Sequence, residues 1–185
     1  MRALVSVYNK QGVADFLKKI QHEIDLEVIA TDGTYFHLNK NGVKVINLSS
    51  ITNFPEILNG RVKSLHPSIY GGILFNRKIK DHQDEINDLN IKEIDLVICN
   101  LYPFKEIISK EDFIHEEAIE NIDIGGVSMI RAAAKNYSDV LVITDPSDYD
   151  LVLNKIIDSS ISENERSGFA KKAFNYTADY DFQIA

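Results

Sequence analysis

The sequence predicts an α/β fold: a mostly parallel sheet flanked by helices, with a C-terminal helical tail. Short apolar runs recur at Arg2–Val7, Glu27–Ala30, Val43–Leu48, Asp95–Asn100 and Val140–Thr144, the length and character of buried strands. Stretches with helical spacing of apolar residues lie between most of them. The joints are mostly short, the pattern of βαβ units whose strands run parallel and whose crossovers are right-handed. Strand ends and the loops after them then fall along one edge, where such sheets bind ligands.

Taken in order, RALVSV at Arg2–Val7 is the first strand. Asn9 is expected to cap a helix over about 12–20 that turns Val13, Phe16, Leu17 and Ile20 to one face. EVIA at Glu27–Ala30 runs straight into Thr31-Asp32-Gly33-Thr34, then a short helix ending near Gly42 and a third strand at Val43–Leu48. Between Ser49 and Gly72 the pattern breaks. Prolines and glycines interrupt it, yet Phe54, Ile57, Leu58, Val62, Leu65 and Ile69 oppose disorder, so the stretch reads as an ordered functional loop.

Asp81–Leu89 is a polar surface helix, and DLVICN delivers Asn100 to the end of a buried strand. Pro103 then biases Tyr102 towards extended geometry. A helix is expected over Glu111–Asn121, carrying Phe113, Ile114, Ala118 and Ile119. Gly125 and Gly126 form a loop feeding a helix from Val127 to Lys135, and a helix around Ser147–Ile157 follows the last strand. Ser162 with Glu165 makes a capping box for the tail helix, whose stripe of Phe169, Ala173, Tyr176 and Tyr180 must pack on its own domain or on another. The expected division is 1–160 for the α/β domain and 161–185 for the tail.

Composition narrows function. A net charge of −8 speaks against a broad nucleic-acid or anionic-membrane footprint, though local cations can still hold an anionic small substrate. The single cysteine, Cys99, allows no intramolecular disulfide, which fits a reducing, cytoplasmic setting. No run of apolar residues approaches a membrane span. The five histidines are scattered without metal-ligand spacing, so no structural or catalytic zinc site is expected. There is no GxSxG elbow, GxxxxGK[ST] loop or GxGxxG fingerprint.

The polar residues converge on the sheet edge instead. Ser6, Asn9 and Lys10 follow the first strand; Thr31, Gly33 and Thr34 follow the second; Asn100 and Tyr102 follow DLVICN. Arg61, Lys63, Ser64 and His66 join from the irregular loop, and Asp123 from the segment before the glycines. A helix start after paired glycines first suggests a phosphate cradle at Gly125-Gly126. Lys10 with Thr31–Thr34 makes a better one, and Asp123 would repel a phosphate, so the glycines are expected to let backbone approach reacting groups.

With these residues laid out, the chain resembles the inosine monophosphate (IMP) cyclohydrolase domain, the N-terminal half of the bifunctional purine-biosynthesis family PurH. The matching stretches are GRVKSLHPSIYGG at Gly60–Gly72, NLYPF at Asn100–Phe104 and IDIGGVSMIRAAAKN at Ile122–Asn136. Weaker matches are SVYNK at Ser6–Lys10, TDGT at Thr31–Thr34 and FNYTADYD at Phe174–Asp181, all in the family's order. The resemblance implies a methylglyoxal-synthase-like fold and closure of 5-formamidoimidazole-4-carboxamide ribotide (FAICAR) to IMP with loss of water, with no metal and no cofactor. It implies a homodimer normally fused to an AICAR transformylase domain, which lies outside this sequence; the chain is then either a piece of such a protein or a stand-alone cyclohydrolase.

By the same resemblance Tyr8, Asn9, Lys10, Thr31, Asp32, Gly33 and Thr34 hold the ribotide, mainly through its phosphate. Arg61, Val62, Lys63, Ser64, Cys99, Asn100, Asp123 and Ile124 line the nucleotide site. Lys135 matches the family's proton donor/acceptor, and Lys63, Tyr102 and Asp123 its other catalytic candidates. Along a straight helix Lys135 stands about 13 Å beyond Gly126, so it shares a site with Asp123 only if the loop folds back, the helix is shorter or the lysine reaches across. Asp32 stands where the family has glycine and is expected to face solvent or bond locally. Ser64 replaces a threonine, and Tyr8 replaces a serine, with contact expected through backbone. The alternatives are a nucleotide-sensing domain of the same fold and a methylglyoxal-synthase-like lyase.

Overall fold

The computed structural model describes residues 1–58, 61–109 and 112–185. Five parallel strands form one sheet in the order β3-β2-β1-β4-β5, with β1 at Arg2–Val7, β2 at Glu27–Ala30, β3 at Val45–Asn47, β4 at Leu96–Asn100 and β5 at Leu141–Ile143. The chain steps outward from β1 through β2 to β3, then crosses back to place β4 on the other flank of β1. That reversal opens a crevice at the carboxyl ends of β1 and β4, and the candidate residues stand there.

Strand alternation sends residues to two cores. Leu4, Ile29, Val97, Cys99 and Val142 face one side, where they meet α4 (Pro67–Leu74), α8 (Gly125–Lys135) and α10 (Glu163–Ile184). Ala3, Val5, Val28, Ala30, Leu96, Ile98, Leu141 and Ile143 face the other, against α1 (Val13–Glu23), α2 (Asp32–Lys40) and α9 (Tyr149–Ile157). Because both faces are covered, the strands read as near-continuous apolar runs. The expected face of α1 is buried in full, Val13, Phe16, Leu17 and Ile20 all lying in the core.

Several boundaries differ from expectation, each for a local reason. Asn9 does not cap α1: its side chain accepts from Gln11 N at 3.0 Å in a tight turn, and Gly12, at φ 70°, occupies the capping position. The Thr31–Thr34 turn is already the first turn of α2, which starts at Asp32. The irregular stretch is partly helical: α3 covers Leu48–Thr52 with Asn47 as its cap, an Ile57–Val62 bridge follows, and α4 begins at Pro67 behind His66, whose Nδ1 accepts from Ser68 N. Proline at the first helical position costs no hydrogen bond. Gly71 and Gly72 therefore sit inside a helix.

The polar helix α5 spans Lys80–Asp88 and buries no residue, as a surface helix should. After β4, Pro103 opens a short helix, α6 (Phe104–Ile108), that the sequence reading lacked. The helix expected over Glu111–Asn121 is α7 (His115–Glu120); Glu111 lies outside the described residues, as does Gly60. Phe113, Ile114 and Ile119 are exposed rather than buried. A 3₁₀ turn at Pro146–Asp148 precedes α9.

The tail helix has its capping box, Ser162 and Glu165 exchanging hydrogen bonds. It packs on its own chain, against α8, β5 and α6. Ala170, Ala173 and Tyr180 are buried in the same core as Met129 and Ile130, with Phe169 and Tyr176 half-buried against it. Lys172 reaches Asp145 at 2.8 Å and Asp148 at 2.7 Å, tying the helix to the turn after β5.

Candidate active site

A cleft of about 480 Å³ lies over the carboxyl ends of β1, β2 and β4. Its lining includes Tyr8, Lys10, Thr31, Gly33, Thr34, Arg61, Lys63, Ser64, Asn100, Tyr102, Asp123 and Ile124. Residues spread over more than a hundred positions of sequence thus meet in one place.

On the floor, Asn100 ties two strands together. Its Oδ1 accepts from Tyr8 N and Asn9 N, both at 2.8 Å, and its Nδ2 donates to Asn9 O at 3.0 Å. Both polar ends of that amide are engaged, so Asn100 shapes the loop after β1. Thr34 does the same from α2: its hydroxyl accepts from Val7 N at 3.0 Å and donates to Val7 O at 3.3 Å. The Thr31 hydroxyl pairs with that of Ser6 at 3.0 Å. Lys10 Nζ donates to Tyr8 O at 3.2 Å and lines the same end, beside the N-terminus of α2. A helix N-terminus with a neighbouring lysine favours an anion.

Asp32 is turned away from this end. Its Oδ1 accepts from Asn47 Nδ2 at 2.7 Å, a link to the cap of α3 and neither the solvent-facing nor the local arrangement expected. The hydrogen bond between Glu56 and Asp32 holds the Glu56 carboxyl above its ordinary value, burial adding to the rise and Lys63 opposing it.

At the other end, Asp123 Oδ1 accepts from Gly126 N at 2.7 Å, at the start of α8. Burial pushes the Asp123 carboxyl up; the Gly126 N–H and the charge of Lys63 pull it partly back. The paired glycines have a steric cause. A Cβ on Gly126 would stand 2.6 Å from Asp123 Oδ2 and 2.7 Å from Leu101 Cδ2, and one on Gly125 would stand 2.7 Å from Ser64 Oγ. Glycine at both positions lets α8 begin against the acid and the Lys63–Ser64 segment without any of these side chains shifting. Tyr8 and Tyr102 close the mouth as a tilted pair with ring centroids 5.2 Å apart, so the Tyr8 ring, and not its backbone alone, faces the cleft. Arg61 pairs with Glu120 across the rim.

Six expected residues do not line the cleft, His66 among them because its ring caps α4. Asn9 and Asp32 are accounted for above, and Val62 sits in the bridge with Ile57. Cys99 is buried in the core, its thiol 3.8 Å from Gly126 O and pushed well up by burial, which leaves it inert as a nucleophile. Lys135 is exposed in the last turn of α8, at the far end of the helix from Asp123, because the helix runs unbroken from Gly125 and the loop does not fold back. Conversely, Glu56, Leu65, Ile119, Glu120, Ile122 and Met129 complete the lining. Nothing in the local pattern marked the glutamates, which read as ordinary surface acids. Among the described residues no cluster of His, Cys, Asp and Glu has the arrangement of a metal site, and no helix is long and apolar enough to cross a membrane.

Fold and cleft together define a parallel α/β domain with a polar-lined cleft at its topological switch point. The chain belongs to the MGS-like domain family, whose model matches residues 12–128, and the AICARFT/IMPCHase bienzyme model matches residues 133–185. It is 53% identical over 185 residues to the bifunctional purine biosynthesis protein PurH of Bacillus subtilis (strain 168), covering 100% of this chain and 36% of that protein. The PurH of Caldicellulosiruptor saccharolyticus is 50% identical over 184 residues, 99% of this chain and again 36% of the relative. The chain thus spans little more than a third of these relatives. Among solved structures, that of ForH superposes with a TM-score of 0.87 at 32% identity, covering 100% of this chain and 96% of that one.

Proposed function

We propose that this chain is an IMP cyclohydrolase, closing FAICAR to IMP with loss of water. One observation carries the reading. The cleft is lined both by an anion-favouring set, Lys10, Thr31 and Gly33, and by an acid–base set, Lys63, Tyr102 and Asp123. A phosphate-bearing ribotide needs both, the first for its phosphate and the second for its reacting groups. The relatives named as bifunctional purine biosynthesis proteins and the IMPCHase part of the matched bienzyme model support the assignment.

The reaction is intramolecular: the carboxamide nitrogen attacks the formyl carbon of the same molecule. The enzyme's first task is to hold a near-attack conformer, and a cleft anchored at the phosphate and closed by Tyr8 and Tyr102 does so. Asp123, whose carboxyl is held above its ordinary value, takes the amide proton. Lys63 stabilises the oxygen that gains charge on the formyl carbon. The proton on Asp123 passes to the formyl oxygen and makes it a hydroxyl. With Lys135 outside the cleft and the Asn100 amide engaged with the loop after β1, Tyr102 is left to protonate that hydroxyl, which departs as water, and the formamido nitrogen returns its own proton to Tyr102 as the ring C=N bond forms. Arg61, once released from Glu120, supplies a further cation at the rim.

A cytoplasmic setting and a homodimer belong to the same reading, the first supported by a single buried thiol and the second by Phe182, 82% exposed on α10. Sedimentation tests the dimer. The function is tested by mixing the purified chain with FAICAR and following the absorbance of IMP. Conversion supports it. Tight nucleotide binding without conversion favours a sensor, and release of phosphate from dihydroxyacetone phosphate favours a lyase.

A further inference from the structure

Two hydroxyls from α10, a helix that lines none of the cleft, hold backbone of the segments that form its wall. Tyr176 and Tyr180 stand one turn apart on α10, both with rings packed in the core shared with α8. The Tyr176 hydroxyl accepts from Leu101 N at 2.9 Å, the first backbone N–H beyond β4. The Tyr180 hydroxyl accepts from Asp123 N at 2.8 Å and donates to Asn121 O at 3.2 Å, so one phenol fixes residues 121–123. These two amides belong to the two loops that carry Tyr102 and Asp123.

We propose that Tyr176 and Tyr180 are positioning residues of the active site, setting the placement of the Asn100–Tyr102 loop and of Asp123 from the tail helix. The inference rests on the cyclohydrolase reading for its catalytic consequence and on the hydrogen bonds alone for its geometry.

The reasoning is steric and dielectric. Asp123 Oδ1 is held by Gly126, but the backbone before it is held by Tyr180. Without that hydroxyl a loop N–H in the half-buried wall must find water, and water reaches the carboxyl with it. The titratable groups facing Asp123 are Lys63 before α4, Tyr70 on α4, Cys99 on β4, and Tyr176 and Tyr180 on α10. Of these only Lys63 is cationic, so loss of burial is the change that lowers the Asp123 carboxyl towards its ordinary range.

The test is Tyr180→Phe, with Tyr176→Phe beside it, in the full chain. Both keep the buried ring and remove only the hydroxyl. Displacement of a reacting group by an ångström costs ~10²-fold, so Y180F is expected to lose roughly 10- to 100-fold in kcat with KM little changed. Its pH–rate profile moves its acid limb downward, and the Asp123 carboxyl, followed by carbon NMR, titrates lower than in the parent protein. Y176F is expected to lower kcat and to speed hydrogen exchange at the Leu101 amide. A Y180F protein with parental kcat and parental Asp123 titration overturns the proposal. So does a loss of kcat with profile and titration unmoved, since stability alone then explains it. If the parent chain does not convert FAICAR, the cyclohydrolase reading fails, and the Asp123 titrations and Leu101 exchange rates still decide the positioning.

Discussion

Replacing Gly126 by alanine should damage both stability and catalysis. The added Cβ stands 2.6 Å from Asp123 Oδ2, where ordinary contact begins at 3.4 Å, so the acid and the helix start must separate by roughly 0.8 Å. Asp123 cannot simply rotate away, because its other oxygen accepts from Gly126 N, and Leu101 Cδ2 blocks a second direction at 2.7 Å. Overpacking of this kind costs about 1–3 kcal/mol. Alanine gains about 0.5–1 kcal/mol over glycine within a helix, which offsets part of it. The net loss should lower Tm by a few degrees, at roughly 2–4 °C per kcal/mol for a chain of this size. Turnover should fall by ~10²-fold, since the displaced group is the proposed base. Gly168 supplies the control: it is exposed within α10 and a Cβ there meets nothing within 4 Å, so G168A should raise Tm slightly and leave turnover alone. Thermal melts by circular dichroism and the FAICAR assay measure both. A G126A protein with parental Tm and parental turnover would refute the steric account of the paired glycines.

Asp123→Asn should reduce turnover by ~10²–10⁴-fold. Because burial raises the folded-state pKa of this acid, ionising it costs stability as pH rises through that value; at neutral pH the asparagine variant should melt no lower than the parent, measured by the same melts. In the parent, the rate should fall as pH drops through the Asp123 value, which burial raises above that of an ordinary aspartate. Lys63→Ala should lower kcat more than it weakens IMP binding, which calorimetry beside steady-state kinetics will separate. Asp145, held down to about 2 chiefly by Lys172, contributes stability that is present above the ordinary aspartate range and lost as pH falls towards that value. Since the pair is partly exposed, its worth is under about 1 kcal/mol, and D145N should flatten the acid side of the Tm–pH curve by that amount.

The sheet was legible because its chemistry is local. In β1 and β4 the apolar runs and their polar ends mark strand limits within a residue, and the alternation in them decides which core each side chain joins. Site residues that follow strands, such as Lys10, Thr31, Gly33, Asn100 and Tyr102, were legible for the same reason: topology places every such loop on one edge. What the sequence could not show is how donors and acceptors are shared across space. Thr34 looks like a phosphate ligand until Val7 is found to occupy its hydroxyl, and Asn100 looks free until the loop after β1 is found folded over it. Asp32 has no local partner in sequence, and its partner Asn47 lies 15 residues on. Helix boundaries failed where a residue carries two meanings. Gly125 and Gly126 signal a loop by propensity, yet they begin α8 because close approach, and not a turn, requires them. Tyr176 and Tyr180 read as an apolar stripe, and their rings obey that reading; only their oxygens carry the rest.

The position of α10 has a consequence for how the molecule comes into being. Leu101 and Asp123 wait for partners 75 and 57 residues further along the chain. As the polypeptide leaves the ribosome, the sheet can assemble once β5 has emerged, while the walls of the cleft still lack their two phenolic braces. Bracing of the cleft therefore follows assembly of the sheet and waits for the tail helix. A nascent chain arrested before Tyr176 would lack the partners of both the Leu101 and the Asp123 amides.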